Sequence, residues 1–143
     1  MIVTRGDDLS RFVAAQELVY PAALAELRSG HKRGHWMWFI FPQLRGLGMS
    51  DTAWRFGLDG ADEASAYAVH PLLGPRLRAC GAAILAHEGH RSAAAILGQI
   101  DAMKLRSCAT LFELVADEAS VFVRLLEGFY GGERDARTLH LLS

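Results

Sequence analysis

The sequence predicts an all-α fold: one compact orthogonal helical domain, residues 1–143, of about six to eight helices around a Trp/Phe-rich central segment. Three observations predict it. Apolar residues recur at three- and four-residue intervals along most of the chain, the period of a helix with one buried stripe. No stretch shows the strict alternation of a half-buried strand. Gly34 to Gly48, GHWMWFIFPQLRGLG, holds two of the three tryptophans. Within it, His35 to Phe41 is an apolar run without alternation, which calls for burial on nearly every side.

From the N-terminus, Leu9, Phe12, Val13, Tyr20, Ala23, Leu24 and Leu27 form one helical stripe, with Asp8 as N-cap and Gly30 as stop. Pro21 lacks a backbone donor and clashes with the preceding turn, so the segment is kinked or split around Tyr20-Pro21. The stripe keeps its phase across the proline, which favours one kinked helix or a closely abutted pair. Gln16 falls on this stripe. It is either solvated at the edge or points at the aromatic centre, where its amide needs partners. In the aromatic run, each buried indole or imidazole N–H must be met by polar side chains from elsewhere, which describes a dense core or a pocket. Pro42 ends a helix begun at Trp36, and Gln43 to Gly48 turns. Ser50 or Asp51 caps a short helix from Thr52 to Phe56, closed by Gly57. The Gly46-Leu47-Gly48 turn is an ordinary tight turn or, running into a helix N-terminus, an anion site. It follows no strand and has no Walker pattern, so it is not a dinucleotide fingerprint.

Asp62 to Val69 is a further short helix with acids in its first turn, and His70 to Pro75 breaks the chain. A long helix follows from Pro75 to about His87, with Leu77, Cys80, Ile84 and Leu85 inward. Arg76 in its first turn opposes the dipole and needs a compensating acid or a bound anion. Gly89 separates His87 from His90 and no third ligand is near, so no metal is expected, nor any cofactor. Ser92 caps an Ala-rich helix to Leu97, stopped by Gly98. From Asp101 a helix turns Leu105, Cys108, Phe112 and Val115 inward. Lys104 borders that stripe, where it either snorkels outward or meets an acid or anion in a cleft, with Asp101 three residues away. Asp117 caps a last strong helix carrying Phe122, Leu125, Leu126, Phe129 and Tyr130, and Gly131-Gly132 ends it. The tail can add one more turn through Leu139, Leu141 and Leu142.

Length and composition bound the function. A chain of 143 residues, 51% hydrophobic and 22% charged, is globular and about one domain. Fifteen Lys and Arg against sixteen Asp and Glu leave a net charge of −1. No global field then draws nucleic acid or an acidic membrane, and any anion site is local. Cys80 and Cys108 lie among apolar neighbours, which predicts buried reduced thiols and a cytoplasmic setting. The start, MIVTRGDD, has no signal-peptide pattern, and no apolar stretch reaches the length of a membrane span. Oligomeric state is not readable.

One resemblance covers almost the whole chain. It is carried by Arg11-Phe12-Val13, Ala15-Gln16, Tyr20, Ala23-Leu24, Glu26-Leu27 and Gly30, by His35 to Leu44, and by Gly46-Leu47-Gly48 and Ser50. His70 to Gly74, Arg76-Leu77, Gly98, Asp101, Lys104 to Ser107 and Thr110 to Phe112 continue it. In these residues the chain resembles the bacterial Domain of Unknown Function 1810 family. The label "calpastatin" that some members carry has no physical support here. The resemblance implies a mainly helical single domain and brings no activity or catalytic residue. Pro21 is a position the family is not expected to require.

Two functional readings follow. In the first, a cleft floored by Trp36, Trp38 and Phe41 binds a small anionic, nucleotide-like ligand. Gln16, His35 and Gln43 supply hydrogen bonds, and Arg76 and Lys104 receive the anion. His35 is the candidate general acid or base, because its titration range lies near neutrality. In the second, the domain is a non-catalytic interaction module that uses the basic-aromatic surface 28–38.

Overall fold

The computed structural model describes residues 9–143, among which there are ten helices and no strand, only an isolated parallel bridge between Leu44 and Leu58. In chain order they are α1 (Ser10–Gln16), α2 (Tyr20–Ser29), α3 (Met37–Ile40), α4 (Asp51–Phe56), α5 (Ala61–Val69), α6 (Leu73–Leu85), α7 (Ala93–Leu97), α8 (Gln99–Val115), α9 (Ser120–Tyr130) and α10 (Ala136–Leu142). None of them is long and apolar enough to cross a membrane. The fold class is as the periodicity indicates, with more helices than the expected six to eight. The first stripe divides in two, the tryptophan run makes a turn of its own, and the tail folds into α10.

Local chemistry accounts for most boundaries. Pro21 sits in the first turn of α2, where a missing N–H costs nothing, so the stripe splits cleanly at Glu17–Val19. Ser50 and Ser92 cap α4 and α7, each accepting from a backbone N–H three residues on at 3.0 Å. Three expectations about caps need adjustment. Asp8 lies outside the described residues, and the N-cap position of α1 is Leu9, without a side-chain cap. The helix expected from Pro75 begins at Leu73, because His70 Nδ1 accepts from the N–H groups of Leu72 and Leu73 at 3.1 and 3.2 Å. Asp117 caps nothing: α9 starts after Ala119, and Asp117 stays exposed in the bend before it.

Two helices carry the packing. The longest, α8, lies against α5, α7, α9 and α10, while α6 lies against α2, α3, α5 and α9. Every residue of α8 from Ser107 to Phe112 is buried, so its middle turns have no solvent face. A chain of touching rings runs through the core from Phe39 to Phe56, Phe12, Tyr67, Phe112 and Phe122, with centroids 5.1 to 5.8 Å apart. Fully burying one such side chain is worth about 1.5–3 kcal/mol, so this row is a principal source of stability. Cys80 and Cys108 are free and buried in the same core. Burial pushes the Cys80 thiol up to about 12 and the Cys108 thiol well above its ordinary value.

Candidate functional site

The tryptophan segment is held at its N-terminal side by one carboxylate. Glu26 Oε1 accepts from the backbone N–H of Arg33 at 2.6 Å, that of Gly34 at 2.9 Å and the Trp36 indole N–H at 3.0 Å. Burial opposes ionisation of Glu26, but these hydrogen bonds and the nearby Lys32 charge outweigh it and hold its pKa below the ordinary value. Gly34 cannot carry a side chain, since a Cβ there would come within 2.7 Å of Trp36 Cδ1. With its indole satisfied, Trp36 is a core residue, 1% exposed, and Phe41 is equally buried beside it, with ring centroids 6.5 Å apart.

The same loop reaches α8 through a shared acid. Asp101 receives the Lys32 ammonium on one oxygen at 3.0 Å and the Lys104 ammonium on the other at 3.1 Å. Two cations on one carboxylate leave a local net charge of +1. Lys104 Nζ also lies 4.0 Å from the centroid of the Trp38 ring, covering one face of a half-buried indole.

Trp38 and Lys104 form part of the wall of a cleft of about 180 Å³, together with Gln43, Leu47, Gly48, Ile100, Met103, Ser107, Asp135 and Arg137. Gln43 is 6% exposed. Its backbone carbonyl accepts from the Leu58 N–H at 2.9 Å, but its side-chain amide has no hydrogen-bond partner among the described residues. The amide atoms reach the cleft and are open to solvent, so they can pair with a group that enters it. Asp135 is already engaged: it caps α10, accepting from the Thr138 N–H at 2.9 Å and the Thr138 hydroxyl at 2.6 Å. The Ser107 hydroxyl donates back to the Met103 carbonyl at 3.3 Å. Arg137 also borders a second, shallower hollow of about 370 Å³, with Gly46, Ala136, His140 and Leu141, so the two spaces adjoin at its side chain.

The candidates named from sequence therefore divide. Trp38, Gln43 and Lys104 meet at the cleft. Gln16 and Arg76 meet elsewhere, in a buried network: Gln16 Nε2 donates to the Phe39 carbonyl at 2.7 Å and to the Tyr67 hydroxyl at 3.1 Å, and Arg76 donates to Gln16 Oε1 at 3.4 Å. Arg76 stacks on Tyr20, 4.5 Å from the ring centroid, and no carboxylate pairs with it among the described residues. Trp36 and Phe41 are core side chains, not the cleft's floor. His35 is exposed and lines neither hollow. Among the described residues, Gln16 and Arg76 thus meet in one network, tied to the Phe39 carbonyl, and Lys104 lines a separate cleft with neither of them nor His35 on its wall. Arg137 and His140 are additions that the structure makes to the sequence candidates. The Asp135-x-x-Thr138 capping pattern was the one signal that a helix would bring Arg137 and His140 to this place.

Another hollow, of about 300 Å³, lies between α5, the start of α6 and Ala116 to Glu118. Its one arginine is engaged, with Arg78 bound to Glu118 at 3.3 Å and to the Ala68 carbonyl, while Asp117 on the same wall is exposed. Among the described residues, no group of three or more His, Cys, Asp or Glu is arranged to hold a metal.

The family described as "Protein of unknown function (DUF1810)" matches residues 6–142. The crystal structure of the conserved hypothetical protein Rv1873 from Mycobacterium tuberculosis is 51% identical in sequence, covers 94% of this chain and 96% of that one, and superposes with a TM-score of 0.91. No curated protein matches the chain.

Proposed function

The chain belongs to the DUF1810 family of proteins of unknown function, and because membership brings no activity with it, we propose from the cleft itself that the protein binds a small anionic, nucleotide-like ligand. The observation that carries this reading is that the Gln43 side chain lines the same cleft as Lys104 and has no protein hydrogen-bond partner among the described residues. An amide that opens to a cleft and is not committed to protein can exchange its solvent contacts for those of a ligand. The excess positive charge of the Lys32–Asp101–Lys104 cluster, with Arg137 at the junction of the two hollows, suits an anion. Apolar walls from Leu47, Ile100 and Met103 suit a flat, weakly polar body. The ring of such a ligand occupies the smaller cleft, and its sugar and phosphate extend past Arg137 into the hollow beside Gly46 and His140. This reading gives no reaction step to His35, which faces solvent away from both spaces.

The competing reading, an interaction module on residues 28–38, keeps exposed Arg28, His31, Arg33 and His35 but loses its aromatic half to the core. The two are separated by titrating uridine and adenosine 5′-monophosphates into the protein while following heat or tryptophan emission. Saturable binding that weakens about tenfold or more in Lys104→Ala and in Arg137→Ala is expected, since a charge-assisted hydrogen bond is worth about 1.5–3 kcal/mol. A flat response to both nucleotides removes the ligand reading.

A further inference from the structure

The dimensions and donors of the cleft narrow the ligand further than its charge does. A cavity of about 150 Å³ accepts one benzene ring. At about 180 Å³, this open cleft matches one six-membered ring with small substituents more closely than a fused bicycle. Among the described residues that line it, Gln43 is a side chain nine-tenths buried whose carboxamide has no protein hydrogen-bond partner. A carboxamide presents one N–H and its C=O side by side, and an edge with the complementary pair in the same plane meets both with two hydrogen bonds. The remaining reach of the cleft is apolar or already engaged, with Ser107 donating to Met103 and Asp135 committed to the α10 cap. The anionic group therefore cannot lie deep. It belongs beside Lys104 and beside Arg137, which the cleft shares with the second hollow.

Resting on the ligand reading above, we propose that the bound group is a monocyclic six-membered heterocycle bearing an amide edge, adjacent N–H and C=O, with its phosphate outside, and that Gln43 is the residue that selects it. Two sources share this chemistry: a pyrimidine nucleotide, whose lactam lies in the ring, and a pyridine nucleotide, whose carboxamide hangs from it. Purine nucleotides carry comparable edges on a wider ring system, which matches the space less closely. The selection is geometric: the ring enters between Leu47 and Met103 until its edge meets the Gln43 amide, and a ring of this width allows both hydrogen bonds to form.

The test is a calorimetric series on the unmodified protein with uridine 5′-monophosphate, nicotinamide mononucleotide, adenosine 5′-monophosphate, ribose 5-phosphate and N3-methyluridine 5′-monophosphate. Uridine or nicotinamide mononucleotide is expected to bind about tenfold or more tighter than the adenine nucleotide. N3-methylation, which blocks the edge without changing ring size, should lower uridine affinity by a similar factor, the range for a paired amide contact. Whichever of the first two binds more tightly identifies the source. In Gln43→Leu, checked for a native thermal transition, the difference between the uridine and N3-methyluridine nucleotides should vanish. If the adenine nucleotide binds as tightly as both monocyclic ones, or methylation changes nothing, the ring assignment is overturned while the anionic-ligand reading stands. If none of the five compounds binds, both fall.

Discussion

The buried Gln16 offers the sharpest test of how the aromatic segment is held. Replacing it with leucine keeps volume and removes both Nε2 hydrogen bonds, to the Phe39 carbonyl and to the Tyr67 hydroxyl. Each is worth about 1 kcal/mol net, and the longer contact from Arg76 adds little. Two orphans would normally raise the cost, but the Tyr67 hydroxyl lies 3.5 Å from the Phe39 carbonyl and can turn to it. Burial keeps that hydroxyl neutral, since it pushes the Tyr67 pKa well above the ordinary value. The expected loss is therefore about 2 kcal/mol, read as a lower urea midpoint at unchanged slope and a Tm lower by roughly 6–8 °C for a chain of this length. Gln16→Ala, which also opens a cavity, should lose about 1–2 kcal/mol more. If Gln16→Leu is as stable as the parent, the amide is not what fixes the α3 turn, and the reasoning about this network is wrong.

Three further outcomes are expected. Gly48→Ala places a Cβ 2.6 Å from the Ala53 Cβ and 3.0 Å from Trp38 Cη2; it should cost about 1–3 kcal/mol in denaturant melts and displace Trp38, weakening nucleotide binding in the same protein sample. The lowered pKa of Glu26 means its contribution to stability is complete above its ordinary value of 4.5 and fades as pH falls through the lower folded value. Acid melts of Glu26→Gln should accordingly be flatter with pH below about 4.5 than those of the parent, and parallel slopes there would remove this role. Cys80 and Cys108, both buried with raised pKa values, should resist an aromatic disulfide reagent at pH 8 until denaturant is added, whereas fast native labelling would show an opening at α6 or α8.

What was legible in the sequence is local, and what was not depends on long-range pairing. Ser50 and Ser92 read correctly as caps because an N-cap is decided within four residues. Gln16 stood out because it sits on an apolar stripe, yet its partner Tyr67 belongs to α5 and nothing near either residue announces the other. Arg76 was read as needing an acid or an anion. It instead stacks on Tyr20 and reaches a neutral amide, a solution open to a planar guanidinium and invisible to charge counting. The Asp101–Lys104 pair follows from its i, i+3 spacing, but the second claim on Asp101, by Lys32, arises only because the loop after α2 folds onto α7 through the Lys32 N–H and Ile96 carbonyl. Glu63 illustrates the limit. In the first turn of α5 it reads only as an acid favoured by the helix dipole, but it is 1% exposed, bound to Arg11 at 3.0 Å and to the Asp59 N–H at 2.9 Å. The cleft itself escaped the sequence because its wall joins three distant stretches, Trp38 to Gly48, Ile100 to Ser107 and Asp135 with Arg137, and no local pattern announces that they meet.

The central claim is that a ligand enters beside Trp38, and the indole N–H resonances test it directly because the three tryptophans occupy distinct settings. Trp36 is tied to Glu26 in the core, Trp54 is exposed on α4, and Trp38 lines the cleft. Titrating uridine 5′-monophosphate into isotopically labelled protein should move the Trp38 signal progressively to saturation, with the Gln43 side-chain amide pair moving alongside it and Trp36 unmoved. If Trp54 alone responds, or if all three indoles and the Gln43 amide stay fixed at millimolar nucleotide, the cleft does not bind this class of ligand.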